Sequence, residues 1–301
     1  MWYSSWLPNR IAKRPAERRP SNRPRTQCRP RLEVLEGRDV PSTLTVTNTL
    51  DYGPGSLRYE IAQAQSNDTI VFNFGSKKAN NTPHTITLFG GELDISKSLT
   101  IKGQGETIAS EPYVTGILGF ADGSRIFEVD AGATVAISGL TLTGGGGTRD
   151  SYGVTGNLYD GYGGAILNFG NLTITGCTLG GSTPVYYGNA GDTGLRGNTA
   201  AIAGGAIANF GTMTVSGCNV SNNSAFGDAF KRGGGGGGGI YNAGTMTVSG
   251  SHVVDNSAGT GGGIENAGTA AALTVSSSTF SGNSPDAIFG SYIDGGGNSF
   301  S

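Results

Sequence analysis

The chain has 301 residues, of which 54 are glycine and 14% are charged, and its formal net charge is −2. This low net charge, together with many strand-forming residues, excludes an intrinsically disordered chain. A collagen is excluded because the glycines do not recur every three residues and there are only 11 prolines. Apolar runs stay well short of the ~18 residues that a membrane-spanning helix needs. Glycine and asparagine at turns, with Thr, Val and Ile between them, favour an all-β protein.

The first 41 residues differ in charge from the rest of the chain. Residues 1–40 hold ten basic and four acidic side chains, a net +6, so the remaining residues carry −8. Several prolines and the lack of an apolar period predict a disordered basic leader over 1–41. It has no standard secretory signal, because its apolar stretch is short and precedes the charges. It also lacks the recognition pattern of a nucleic-acid-binding segment, so we expect no nucleic-acid partner.

The region that follows reads as short strands with one helix. Ser56 can cap a helix over about 56–65, in which Leu57, Ile61 and Ala64 fall on one face. Such a helix would cover the open strand edges at the start of a solenoid. Alternating apolar and polar residues predict strands within 68–73, 84–90, 93–105 and 125–145.

Four copies of one pattern occupy residues 163–284 and align on an isoleucine. These residues are Ile166, Ile207, Ile240 and Ile264, separated by 41, 33 and 24 residues. If about 24 residues form one turn of a solenoid, the longer spacings contain an inserted loop. Each copy has glycines before the isoleucine and alternating apolar and Thr or Ser residues after it, so one face of each strand is buried. The pattern predicts a single-stranded right-handed parallel β-helix over 42–301, with roughly ten rungs.

Two further positions of the repeat carry structural predictions. Asn168, Asn209, Asn242 and Asn266 share one register position, so their amides can form a hydrogen-bonded ladder along the stack. Cysteines also share a position, at Cys177 and Cys218. Neighbouring parallel strands rarely have the Cβ orientation for a disulfide, so we expect two buried thiols.

The repeats offer little for catalysis. Cleavage of a polysaccharide needs paired carboxylates, or a base with a metal. Residues 163–284 contain seven charged side chains, of which only Asp255 and Glu265 lie within rungs, at different register positions. We therefore predict no catalytic residues, no metal site and no cofactor.

Tyrosines are the candidate binding residues, because five of them lie in or beside the two longest inserted loops. They are Tyr152, Tyr159, Tyr162, Tyr186 and Tyr187. Exposed tyrosine rings can stack on sugars or on protein. In the alternative interpretation these rings only pack the loops onto the β-helix, and the sequence leaves both open.

Three segments resemble known families. Residues 51–72 are similar to the domain named for its Cys-Ser-Leu-Arg-Glu-Ala-Ile motif, although Gly55 stands in place of the cysteine. The four rungs resemble the Gly-Gly-Ala-Ile and Phe-x-x-Asn repeats of polymorphic outer-membrane proteins. "LEVLEGRDVPS" (32–42) resembles a segment at the mature start of many planctomycete-type exported proteins. These resemblances imply a β-helix at the cell surface or outside the cell, but no particular activity.

We therefore expect an exported, monomeric β-helix protein, secreted or associated with the cell envelope, with no transmembrane segment. Its expected role is structural, adhesive or binding, towards a surface polysaccharide or another envelope protein. The alternative is a polysaccharide lyase or glycoside hydrolase of the β-helix type, which would need two acids, or an acid and a base, converging on one groove. A spacer without a ligand is the third possibility.

Overall fold

The computed structural model describes residues 41–75, 83–110, 123–147, 158–181, 197–200, 202–226, 235–267 and 272–301. The predicted leader therefore lies outside the described residues, except for Pro41 at its end. Residues Val40–Ser301 belong to one compact unit.

Short strands make up nearly all of the regular structure in these ranges. In chain order the elements are β1 (Thr43–Val46), α1 (Leu57–Gln63), β2 (Asp68–Phe72), β3 (Thr85–Leu88), β4 (Leu93–Ile95), β5 (Leu99–Lys102), β6 (Thr107–Ser110), β7 (Phe127–Val129), β8 (Thr134–Ser138), β9 (Thr141–Thr143), β10 (Ile166–Asn168), β11 (Asn171–Thr175), β12 (Thr178–Gly180), β13 (Thr199–Ala200), β14 (Ile207–Asn209), β15 (Thr212–Ser216), β16 (Asn219–Ser221), β17 (Ser224–Ala225), β18 (Ile240–Asn242), β19 (Thr245–Ser249), β20 (His252–Val254), β21 (Ile264–Asn266), β22 (Leu273–Ser276), β23 (Thr279–Ser281), β24 (Ile288–Phe289), β25 (Ile293–Asp294) and β26 (Ser299–Phe300).

The strands form three long sheets that the chain visits in turn. Sheet 1 has the order β1-β2-β5-β8-β11-β15-β19-β22-β25, sheet 2 the order β24-β21-β18-β14-β10-β7-β4, and sheet 3 the order β26-β23-β20-β16-β12-β9-β6-β3. Neighbouring strands pair in parallel, and β10, β11 and β12 show how one coil gives a strand to each sheet. This is the predicted parallel β-helix. The nine strands of sheet 1 are close to the roughly ten rungs expected.

The four sequence repeats are adjacent coils in strict register. Ile166 pairs with Ile207, Ile207 with Ile240, and Ile240 with Ile264. The spacings of 41, 33 and 24 residues therefore each span one coil, and the extra residues are inserted between strands. In β11 the apolar residues Leu172 and Ile174 are buried, whereas Thr173 between them and Thr175 after them are exposed. The period of two thus places one continuous apolar core inside the coil.

The predicted helix closes the first coil. α1 packs against β1 and β4, and its buried residues Leu57 and Ile61 join the core. The Ser56 hydroxyl accepts the N–H of Tyr59 at 3.2 Å, which caps the first turn. The helix ends at Gln63, two residues before the predicted limit. The ammonium of Lys97 donates to the carbonyls of its last turn, at 2.6 Å from Ala64 O.

Two glycines differ in what a substitution by alanine would cost. At one the cost comes from backbone conformation alone, and at the other a steric collision is added. Gly204 (φ +71°) and Gly217 (φ +58°) are both in the left-handed region. A Cβ on Gly204 would also collide with the carbonyl of Ile207, whereas a Cβ on Gly217 would meet nothing within 4 Å. We expect Gly217→Ala to lower the free energy of unfolding by about 1–2 kcal/mol. Gly204→Ala should cost about 2 kcal/mol more.

Urea unfolding of the two variants and the unchanged chain measures both costs. Equal midpoints for the two variants would show that the collision at Gly204 is relieved by movement of the turn.

Candidate functional site

Two of the five candidate tyrosines lie in the described part of the chain. Tyr159 and Tyr162 belong to the segment 158–162, which precedes β10, and Tyr162 forms a parallel bridge with Ala203. Tyr152, Tyr186 and Tyr187 lie outside the described residues.

Tyr159 and Tyr162 belong to a cluster of five half-buried rings, here called the aromatic platform. Its members are Tyr159, Tyr162, Phe169, Phe210 and Tyr241. The Tyr159 ring meets Phe169 edge-on, with centroids 4.7 Å apart, and meets Phe210 at 5.3 Å. The Tyr162 ring lies 5.5 Å from Phe210 and 5.9 Å from Tyr241. Phe169 and Phe210 stack at 5.6 Å. These are the geometries that aromatic pairs prefer, so the rings hold one another in place.

The platform lies on the outer face of sheet 2. Leu167 and Ala208, the middle residues of β10 and β14, alternate with inward-facing residues and so point outwards. Both are fully buried, although neither belongs to the inner core. Ala208 pairs in register with Tyr241, whose ring meets Tyr162. The outer face is therefore covered here by aromatic rings.

Sequence reasoning missed three of the five rings because it considered only the inserted loops. Phe169 and Phe210 follow the ladder asparagine in the first two repeats, where the next two repeats have Ala243 and Ala267. Tyr241 is the middle residue of β18. Aligning the repeats and marking aromatic residues at outward positions would have found all three.

A buried arginine fixes the segment that carries the two tyrosines. Arg125 is 1% exposed, and its guanidinium donates to the carbonyl oxygens of Tyr159 at 2.9 Å and Tyr162 at 3.2 Å. Its charge is balanced by Glu92 and by Glu128, whose carboxylate lies 2.8 Å away. Planar donors that satisfy carbonyls and carboxylates together make arginine suited to this position. The sequence analysis did not find this ion-pair group because it considered only the charged residues of 163–284, and Arg125, Glu92 and Glu128 precede that range.

Acidic residues occupy neighbouring rungs of the same outer row. Asp94 of β4 pairs in register with Glu128 of β7, which is the kind of placement that paired catalytic carboxylates would need. Glu128 and Glu92, however, are 8% exposed and bound to Arg125. Their visible role is to hold that arginine. Within the described ranges, no group of three His, Cys, Asp or Glu side chains is placed to hold a metal ion.

A carboxylate borders the platform at its other end. Glu265 of β21 pairs in register with Tyr241 and accepts a hydrogen bond from the Thr260 hydroxyl at 2.8 Å. Burial raises the pKa of Tyr162 and of Tyr241, and neighbouring tyrosines and Glu265 add to this effect. Both phenols therefore stay protonated at neutral pH and can donate hydrogen bonds.

The four asparagines of the repeat form a continuous row of amide hydrogen bonds. Each Nδ2 donates to the Oδ1 of the next coil, at 2.7 Å from Asn168 to Asn209 and at 2.8 Å for the two following pairs. The last amide, on Asn266, donates to Ser291 O at 2.6 Å. These side chains are almost fully buried, so the row satisfies groups that water cannot reach.

A second asparagine row, not predicted from the sequence, runs beside sheet 3. Asn198 donates to Asn223, Asn223 to Asn256, and Asn256 to Asn283, at 2.9–3.0 Å. Each accepting Oδ1 also takes the backbone N–H of the preceding member. The sequence does contain a signal for this row, because the segments 220–223 (VSNN), 253–256 (VVDN) and 280–283 (FSGN) all end in asparagine.

The two cysteines belong to a third row, of small side chains. Cys177 N–H donates to the Cys218 sulfur at 3.4 Å, and Cys218 N–H donates to the Ser251 hydroxyl at 3.1 Å. The thiols therefore take the place that serine has in later coils. Both are free and buried, as predicted. Hydrogen bonding with Cys177, together with burial, raises the pKa of the Cys218 thiol.

Searches against protein-family models, curated proteins and solved structures found no match to this chain. In the part of the chain that the structure describes, no helix is long and apolar enough to cross a bilayer, and α1 has seven residues.

Replacing the guanidinium of Arg125 by an amine should make the platform segment 158–162 less rigid. Lysine keeps the charge but cannot bind both carboxylates and the carbonyls of Tyr159 and Tyr162 together, so we expect Arg125→Lys to lower the free energy of unfolding by about 1–3 kcal/mol. Amide exchange across 158–164 should quicken. Arg58→Lys is the control, because Arg58 also binds a carboxylate and two carbonyls but belongs to the capping helix α1.

Hydrogen exchange by mass spectrometry, with urea unfolding, compares the two variants. If Arg125→Lys left exchange across 158–164 unchanged, Arg125 would not be what holds this segment.

The buried thiols should be unreactive in the folded protein. With Cys28→Ser to remove the third cysteine, neither Cys177 nor Cys218 should react with Ellman's reagent at about pH 8, because both side chains are buried and the reagent cannot reach them. Unfolding in denaturant without reductant should release two reactive thiols. Finding none after unfolding would instead indicate a disulfide between the coils.

Proposed function

We propose that the protein is an exported β-helix of the cell surface or extracellular space that binds carbohydrate through the aromatic platform. The observation that carries this proposal is the platform itself. Five half-buried rings stand outside a stacked sheet, held by one another and, at Tyr159 and Tyr162, by Arg125.

Such a surface suits sugars for a physical reason. The apolar faces of sugar rings can pack against aromatic rings, while their hydroxyls meet polar groups at the edge. Here those groups are the phenols of Tyr162 and Tyr241 and the carboxylate of Glu265. Because the rings are already ordered, binding would cost little side-chain entropy.

The proposed location rests on the sequence resemblances at 32–42 and 51–72, which point to exported surface proteins. An adhesive or structural role at the envelope is compatible with the three rows of side-chain hydrogen bonds that run along the coil. An envelope protein as ligand remains an outcome of the experiment below.

The full chain should be incubated with a panel of soluble and insoluble polysaccharides. Depletion of protein from solution and release of reducing ends are scored in the same tubes. We expect depletion without products. Product release would overturn the binding-only role in favour of a lyase or hydrolase. A blank on both readouts would overturn carbohydrate binding and leave a protein ligand or a structural role.

Two tyrosine variants test whether the platform is the contact surface. Tyr162→Leu and Tyr241→Leu should each weaken binding about threefold to tenfold, because each removes one ring from the surface. The control is Tyr52→Leu, since Tyr52 is 59% exposed on the cap and lies outside the platform. Binding isotherms on the retained polysaccharide measure the affinities. Normal affinity in both platform variants would mean that these rings only pack segment 158–162 onto the β-helix.

A further inference from the structure

Among the described residues, charged groups lie at both ends of the platform. At one end Arg125 binds the carboxylates of Glu92 and Glu128. At the other end lies the carboxylate of Glu265, and no ion pair reaches it from within the described residues. A ligand that approaches the Tyr241 end of the platform therefore meets the negative charge of Glu265.

Glu265 is held at a defined place beside the rings. It is half-buried, next to Tyr241 in the outer row of sheet 2, and adjacent strands lie about 4.8 Å apart. A Cβ on Gly236 would collide with its carboxylate, so this group lies directly on the glycine backbone. The Thr260 hydroxyl donates to it at 2.8 Å. The charge is thus fixed near Tyr241 rather than free in solvent.

A carboxylate in this position discriminates by charge. It accepts hydrogen bonds from sugar hydroxyls, but it repels a uronate or a sulfate held within a few ångströms. The protonated phenols of Tyr162 and Tyr241 donate to sugar oxygens and add no charge.

We propose that the platform selects sugars without acidic groups, and that Glu265 is the residue that rejects uronate and sulfated sugars. This inference rests on the proposed carbohydrate-binding function and names its ligand class. Glu265 acts as a specificity-determining residue, and the stacking surface is supplied by the rings.

The test compares one polymer in two charge states. The probes are the neutral polysaccharide that the depletion panel identifies and the same polymer after light carboxymethylation. Affinities for both are measured with the full chain at about 20 mM and about 500 mM salt. We expect the unchanged protein to prefer the neutral form at low salt and to lose much of that preference at high salt.

Glu265→Gln keeps the shape and an acceptor for Thr260 while removing the charge. At low salt the ratio of its affinity for the neutral polymer to its affinity for the carboxymethylated polymer should fall about threefold to tenfold, because this ratio cancels the hydrogen bonds that both forms make. Glu265→Asp, which keeps the charge, should retain the rejection.

Glu60→Gln is the matched control, because it removes the same charge from α1. That helix packs against β4, five strands from β21 in sheet 2, which is roughly 24 Å away. This exceeds the Debye length only slightly at about 20 mM salt, where that length is about 21 Å, and exceeds it severalfold at about 500 mM. Glu60→Gln should therefore change both affinities much less than Glu265→Gln does. Unfolding midpoints establish that all three variants are folded.

The outcomes separate the two proposals. If the unchanged protein binds no polysaccharide, carbohydrate binding fails and the inference fails with it. If it binds both forms alike, prefers the acidic form, or responds to Glu265→Gln as it does to Glu60→Gln, carbohydrate binding stands and the role of Glu265 is wrong.

Discussion

The amide hydrogen bond between equivalent residues of adjacent coils is the constraint on which the repeat region of this structure depends. Each coil turns sharply between sheets, and a buried turn leaves polar groups that water cannot satisfy. Asn168 shows the solution, because its amide serves Gly170 within its own turn and Asn209 in the next coil. The row continues only while an asparagine recurs one coil later, as it does from Asn168 to Asn266. Over these four coils, repetition in the sequence therefore serves a local hydrogen-bonding requirement. In the preceding coils, where Val129 and Ile95 hold the equivalent position, apolar packing takes its place.

Stacking also explains how insertions are tolerated. The 41- and 33-residue coils keep their ladder asparagines in register with the 24-residue coil. The added residues are inserted between strands, so the strands themselves keep their positions in the stack. The platform uses this arrangement, because Tyr159 and Tyr162 precede β10, whereas Phe210 and Tyr241 come from later coils. The rings meet only when three coils are stacked. Each coil contacts its two neighbours, so the surface inherits the cooperativity of the stack.

Features that follow from periodicity and repetition could be predicted from the sequence. Local pattern predicted the strands, the coil length, the capping helix and the row from Asn168 to Asn266. Contacts between different parts of the chain could not be predicted in this way. Asn198 lies at the end of an inserted loop, so no repeat alignment connects it with Asn223. Arg125 meets Tyr159 and Tyr162 only through the coiling of the chain, and a lone arginine between short strands has no periodic signal.

Glu92 shows how the few buried charges connect distant parts of the molecule. Arg58 on the cap donates to its carbonyl oxygen at 2.8 Å, while Arg125 binds its carboxylate. The cap is thereby linked through one residue to the group that holds the tyrosine segment. A buried ion pair contributes little net stability, since desolvation offsets most of the attraction, but breaking it leaves an uncompensated charge. Such a group is better understood as fixing one arrangement than as stabilising the fold. Only 14% of the residues of this chain are charged. Three of them, Arg125, Glu92 and Glu128, form the buried group that binds the backbone of Tyr159 and Tyr162, and this fixes the geometry of the platform.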